Sequence, residues 1–118
     1  MARGEGSFEA GGVRWTMQFG NREFCALEEH FGCPWAEVAR QLDGEGFRFK
    51  AFREVARIGF SRAHPRLTSD EVSDLIDVLG LAEATRMVGA CIQAAMPQAA
   101  ASGEAPAAAQ ADGSTGTI

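Results

Sequence analysis

The chain has 118 residues, with 11 Lys and Arg against 16 Asp and Glu, which gives a net charge of −5. This length suits one domain, and the acidic balance argues against a protein that binds nucleic acid over its whole surface. No apolar run reaches the roughly 18 to 20 residues that span a bilayer, and the N-terminus lacks the apolar segment of a signal peptide, so we expect a cytoplasmic protein without a membrane partner.

The N-terminal segment is predicted to form a β-hairpin over about residues 6–19. Gly11 and Gly12 separate two strand-like runs and tolerate the positive φ angles of a two-residue turn. The second run alternates apolar and polar residues, and its apolar positions are Val13, Trp15, Met17 and Phe19. Because a lone hairpin is marginal in water, this face is expected to lie on helices, with Trp15 buried against Phe24 and Leu27.

Five short helices are predicted after the hairpin from apolar spacing and from residues that begin or end helices. They cover about residues 21–31, 34–42, 48–61, 68–79 and 81–96. Asn21 is the expected N-cap of the first helix, and Pro34 is expected in the first turn of the second. Thr68 and Glu71 match a capping box, and Gly80 is the expected end of the fourth helix.

The predicted fold is α+β and mostly α, with an N-terminal hairpin packed on a bundle of about five helices. It forms a single domain over residues 1–97. The third helix is expected to bury an apolar stripe that consists of Phe49, Phe52, Val55, Ala56 and Gly59. Residues 98–118 are rich in Ala and Gly and have no large apolar side chain before Ile118, so they are predicted to be a disordered tail.

Cysteine, histidine and carboxylate patterns predict neither a metal site nor a catalytic site. Cys25 and Cys33 are farther apart than the ligands of a zinc knuckle, although His30 lies between them, and Cys91 falls within an apolar stripe. Three aspartates on one helical face, Asp70, Asp74 and Asp77, are expected to be solvated. We therefore expect no catalytic residues, no metal, no cofactor and no enzymatic activity, and a thiol enzyme using Cys25 or Cys33 is an alternative. Three cysteines in one chain favour reduced thiols.

Charge is unevenly distributed along the chain. Residues 40–66 carry seven bases against three acids, whereas residues 23–37 and 68–83 carry acids and no Lys or Arg. The basic third helix could pair with these acids, dock an acidic partner or bind nucleic acid. The residues expected to bind a partner are Arg48, Lys50, Arg53 and Arg57. Charge reversal at Arg53 and Arg57 is expected to weaken binding and to leave the fold intact.

The order of these segments resembles the tail-assembly chaperones of gene transfer agents and prophages. The resemblance covers residues 4–97 and includes the hairpin of Phe8–Met17. Its most distinctive segments are a Leu-Glu-Glu-x-x-Gly stretch at residues 27–32 and a Thr-x-Asp-Glu-Val stretch at residues 68–72.

The resemblance implies a bacterial cytoplasmic protein that holds the tape-measure protein, and also tail-tube subunits, while a tail is assembled. It transfers no catalytic residue. The competing hypothesis is a small helical nucleic-acid-binding or regulatory module that uses the basic third helix. A nucleic-acid partner is not expected, given the net negative charge.

Overall fold

The computed structural model describes residues 4–96, and they begin with an antiparallel hairpin. Strand β1 spans Glu5–Ala10 and strand β2 spans Val13–Gln18. Gly11 and Gly12 turn the chain with φ angles of 61° and 76°, a conformation that glycine adopts without a steric penalty. The predicted hairpin is confirmed.

Within residues 4–96, five α-helices follow the hairpin, so the α+β, mostly α fold is confirmed. They are α1 (Asn21–Phe31), α2 (Trp35–Ala39), α3 (Phe49–Phe60), α4 (Ser69–Leu79) and α5 (Leu81–Ala95). Two 3₁₀ turns, Arg40–Leu42 and Gly44–Gly46, lie between α2 and α3. The predicted capping box is present, since Thr68 Oγ1 accepts from the Glu71 backbone N–H at 3.2 Å and Glu71 Oε1 accepts from the Thr68 N–H at 2.9 Å.

Two predicted helix starts differ from the structure by one residue. Gly20, not Asn21, is the N-cap of α1, and its carbonyl accepts the first helical hydrogen bond from Phe24 N at 3.0 Å. Pro34 precedes α2 because its ψ of 157° is extended rather than helical. The helix predicted over residues 34–42 ends early, where the chain tightens into the first 3₁₀ turn.

Helix α3 lies at the centre of the fold and contacts β2, α1 and α4. Its inner face is almost completely buried: Val55 is 0% exposed, and Phe52 and Ala56 are each 2% exposed. The core around it includes Leu27, Val38, Phe60, Val72, Leu75, Ala84, Met87, Val88, Cys91 and Ile92. Burial of this single cluster is the main favourable contribution to folding.

The hairpin packs most closely on α3 at Gly59. A Cβ atom at Gly59 would lie 2.6 Å from Cζ of Phe19 and 2.9 Å from Cγ of Met17. Both neighbours are only 1% exposed, and Phe19 also stacks on Phe24 with a ring-centroid distance of 5.9 Å. The buried end of the hairpin therefore depends on a residue without a side chain in α3.

The other end of the hairpin is more exposed than predicted. Val13 is 43% exposed. Trp15 packs against the core as predicted, but it is only partly buried and not enclosed. The Trp15 ring packs on His64, with centroids 4.9 Å apart, and its Nε1–H donates to the Ala10 carbonyl at 3.2 Å. Thr16 N–H also donates to His64 Nε2 at 3.1 Å. The chain after α3 thus packs on this part of the strand through His64.

The helices of the described residues are short, and the predicted C-terminal tail follows them in the sequence. Within residues 4–96, no helix is both long enough and apolar enough to cross a membrane. The tail predicted over residues 98–118 lies outside the described residues.

Candidate protein-binding surface

The four bases predicted to bind a partner fall into two groups. Arg53 and Arg57 both contact Glu54. Nε of Arg53 lies 2.9 Å from Oε2 of Glu54, and Nε of Arg57 lies 2.7 Å from Oε1. Arg48 and Lys50 are exposed at the start of α3, and no ion pair joins either of them to another described residue. The sequence therefore identified the basic helix but did not separate its paired bases from its unpaired ones.

Glu54 is 8% exposed and connects three elements. Ser69, the first residue of α4, donates its hydroxyl to Glu54 Oε2 at 2.6 Å, and His30 Nε2 on α1 lies 3.8 Å from Oε1. Burial alone would raise the pKa of Glu54, but hydrogen bonds from Ser69, Arg57 and Arg53 outweigh it and lower the pKa from 4.5 to about 2. The ionised carboxylate is therefore part of how α3 is held to α4.

This arrangement revises the expected effect of charge reversal at Arg53 and Arg57. A carboxylate at either position would face Glu54 in a largely buried setting, where like charges repel strongly. We now expect these two substitutions to destabilise the fold, so they cannot report on partner binding alone.

Phe49 is 70% exposed, and the prediction that it is buried is wrong. Its ring contacts Phe47, with centroids 5.2 Å apart, and Phe47 in turn contacts the buried Phe52 at 5.7 Å. The apolar stripe of α3 does extend to Phe49, but the neighbouring helices leave open space on both sides of the first turn. An aromatic cluster therefore runs from the core to the surface.

Two open grooves flank this cluster, and both are lined by Phe49 and Leu81. Leu81, at the start of α5, is 40% exposed. We call the apolar lining of these grooves the Phe49 surface, and its residues are Leu42, Phe47, Phe49, Ile76 and Leu81. Contiguous exposed apolar side chains with polar neighbours are typical of protein-binding sites, and aromatic residues often dominate their energetics.

Single exposed apolar residues are common on protein surfaces and need no function. Val78 is 70% exposed, as Phe49 is, yet it lines neither groove. This contrast distinguishes an isolated residue from the clustered Phe49 surface.

The cysteines are placed differently from one another. Cys25 is exposed, Cys33 is half-buried and Cys91 is buried, and no disulfide joins them. Burial, and secondarily the Glu5 carboxylate, raises the pKa of the Cys91 thiol, which disfavours the reactive thiolate. Within residues 4–96, the structure contains no group of three or more His, Cys, Asp or Glu residues that could hold a metal ion.

Sequence reasoning missed Phe47 and did not include Leu81 in a site. The alternation Phe47-Arg48-Phe49-Lys50 directly after a glycine-rich loop is a local signal that could have indicated an exposed aromatic and basic segment. Leu81 carried no comparable signal, because its exposure depends on how α4 and α5 meet.

Comparison of the chain with protein families, curated proteins and solved structures finds no match. The functional interpretation therefore depends on the residues and surfaces of this chain.

Proposed function

We propose that this protein is a non-enzymatic assembly chaperone of the phage-tail or gene-transfer-agent type. It binds the tape-measure protein in the bacterial cytoplasm, and tail-tube subunits are a second candidate partner. The observation that carries the proposal is the Phe49 surface, where aromatic and aliphatic side chains lie exposed beside open grooves. The sequence segments at residues 27–32 and 68–72 supply the resemblance to such chaperones.

A tape-measure protein requires such a chaperone because of its own exposed apolar surface. A long amphipathic chain exposes apolar stripes before the tail tube encloses it, and exposed stripes aggregate unless they are covered. A small domain with exposed Phe49 and Leu81 can cover part of such a stripe without any catalytic chemistry.

The alternative function is a small helical nucleic-acid-binding or regulatory module that uses the basic third helix. Two of its four bases, Arg53 and Arg57, are engaged with Glu54. In addition, Asp43 and Asp77 line the grooves beside Phe49, where they would repel a phosphate backbone. These features favour a protein partner.

The test is co-expression with the tape-measure protein of the same tail gene cluster. We expect this protein to raise the soluble fraction of the tape-measure protein and to co-purify with it. A gel-shift assay with duplex and single-stranded DNA at moderate salt tests the alternative, and we expect no shifted band. Unchanged tape-measure solubility with no detectable complex would contradict the proposal, and a shifted band in the same protein would favour the alternative.

A further inference from the structure

The geometry points to the Phe49 surface as the docking site for an amphipathic helix of the partner, oriented with a carboxylate over the start of α3. The identity of the partner rests on the proposed function. The chemistry of the docked segment follows from the apolar residues, the grooves and the charges of the surface itself.

The shape of the surface suits a helix. Phe49 and Leu81 line both grooves, so they form a ridge with a groove on each side. Side chains three and four residues apart form rows on a helix, and such rows pack by fitting ridges into grooves. An amphipathic helix can therefore place apolar side chains on both sides of Phe49 and bury a ring that is now 70% exposed.

The start of α3 favours a negatively charged group on the partner. Its N-cap is Arg48, no side chain of the described residues caps its first turn, and that turn contains no acid. Lys50 follows two residues later, so two bases lie at the positive end of the helix dipole, where positive charge is unfavourable. A partner carboxylate at this point would relieve that repulsion and pair with Lys50, which lines a groove beside Phe49. Arg48 lines a neighbouring groove with Lys50 and adds positive charge there.

Two features of the described residues make this charge available to a partner. Arg53 already pairs with Glu54, and Arg86, which lines the second groove, pairs with Glu83. No such ion pair to a described residue exists for Arg48 or Lys50. Since both are exposed, a docked carboxylate can reach them without breaking an internal contact.

Other occupants are less compatible with the surface. A single-stranded nucleic acid could stack bases on Phe47 and Phe49, but it carries a phosphate at every nucleotide and would bring negative charge along grooves that Asp43 and Asp77 line, whereas an amphipathic helix brings its carboxylates only to the start of α3. A second copy of the chain could pair Lys50 with Asp77 across a two-fold axis, since both residues line one groove. Such a dimer would neutralise Lys50 but would supply no carboxylate to Arg48, which does not line that groove, whereas an acidic turn over the start of α3 lies close to both bases.

The test uses the full chain and a designed, fluorescently labelled amphipathic peptide. Leucines on the peptide recur with helical spacing, and glutamates occupy its N-terminal turn. The matched peptide has lysines in place of the glutamates. We expect the acidic peptide to bind by fluorescence anisotropy, with affinity that falls as salt rises, and the basic peptide to bind at least about tenfold more weakly.

Matched variants locate the site. Phe49→Ser is expected to weaken binding of the acidic peptide about tenfold or more, whereas Val78→Ser, at an equally exposed position outside the grooves, is expected to have little effect. Lys50→Glu is expected to weaken binding mainly at low salt, and Arg66→Glu, at another exposed base, serves as its control. Unchanged thermal midpoints would show that each variant is folded.

Several outcomes would overturn the inference. They are equal binding of the acidic and basic peptides, an equal loss of acidic-peptide binding in Phe49→Ser and Val78→Ser, tighter binding of single-stranded DNA than of the acidic peptide, and a dimer in light scattering that Phe49→Ser dissociates.

Co-expression separates this inference from the proposed function. If wild type and Phe49→Ser solubilise the tape-measure protein equally, the chaperone proposal stands and the docking site is wrong. If neither solubilises it while the acidic peptide still binds at Phe49, the docking site stands and the chaperone proposal is wrong.

Discussion

Arg62 reaches across 39 positions of the chain to hold the buried carboxylate of Glu23. Its Nη2 donates to Oε1 at 2.7 Å and its Nε donates to Oε2 at 3.1 Å, a two-point contact that fixes geometry as well as charge. Glu23 is 1% exposed, so it depends on this partner. The contact ties the first turn of α1 to the segment after α3.

We expect Arg62→Gln to destabilise the protein by about 2–3 kcal/mol, because it leaves a buried carboxylate without its cation. Arg62 itself is 39% exposed in its side chain, which keeps the loss below that of a fully buried pair. Urea denaturation measures the free energy of unfolding. Arg66→Gln, at an exposed base four residues away, is the control, and an equal loss in both variants would contradict the role of the Glu23 contact.

Stability is expected to fall in acid through Glu54. The native pKa of Glu54 is about 2 against an ordinary value of 4.5, so between these pH values the unfolded chain binds the proton more readily. The stabilisation is complete above pH about 4.5 and is lost as pH falls toward 2, and its size is on the order of 3 kcal/mol.

Urea denaturation at a series of pH values from neutral to acid checks this expectation. Glu54→Gln should be less stable than wild type at pH 7 and should lose less stability in acid, because it cannot be protonated. Parallel pH profiles for the two proteins would show that Glu54 is not the group responsible.

Two glycines in helices should respond in opposite directions to alanine. Gly59→Ala is expected to destabilise by about 1–3 kcal/mol, since its Cβ would lie 2.6 Å from Cζ of the buried Phe19. Gly89→Ala, at an exposed position of α5, meets no heavy atom of residues 4–96 within 4 Å and is expected to stabilise by about 0.5–1 kcal/mol. Thermal midpoints that move in the same direction would contradict this packing of the hairpin on α3.

The structure lowers the cost expected for Trp15→Ala. A fully buried Trp would cost about 3–5 kcal/mol, but Trp15 is only partly buried at the edge of the core, where its ring contacts His64, so we expect about 1–3 kcal/mol. Phe19→Ala, at a ring that is 1% exposed, should cost about 3–5 kcal/mol. Urea denaturation of both variants checks the order, and a larger loss at Trp15 would mean that the outer half of the hairpin is more deeply packed.

Local signals in the sequence were enough for much of the fold. The turn at Gly11 and Gly12, the capping box at Thr68 and Glu71, and the end of α4 at Gly80 each depend on residues close in sequence. Steric freedom and backbone hydrogen bonds determine these features before any tertiary contact forms.

The site was harder to predict because it depends on where neighbouring elements stop. Apolar spacing placed Phe49 and Trp15 on the correct sides of their elements, but it could not show that Phe49 is 70% exposed or that Trp15 lies at the edge of the core beside His64. Net charge along the third helix likewise could not show that Arg53 is paired with Glu54, a carboxylate that also accepts a hydrogen bond from Ser69. Such pairings require the packing of α3 on α4.

Site-specific photo-crosslinking during co-expression with the tape-measure protein tests most directly whether the Phe49 surface binds that protein. Benzoyl-phenylalanine replaces Phe49 in one variant and Val78 in another, two positions with the same 70% exposure. If the Phe49 surface binds the tape-measure protein, we expect a crosslink to that protein from position 49 and little or none from position 78. Equal crosslinking from both positions, or crosslinking from position 78 alone, would contradict it.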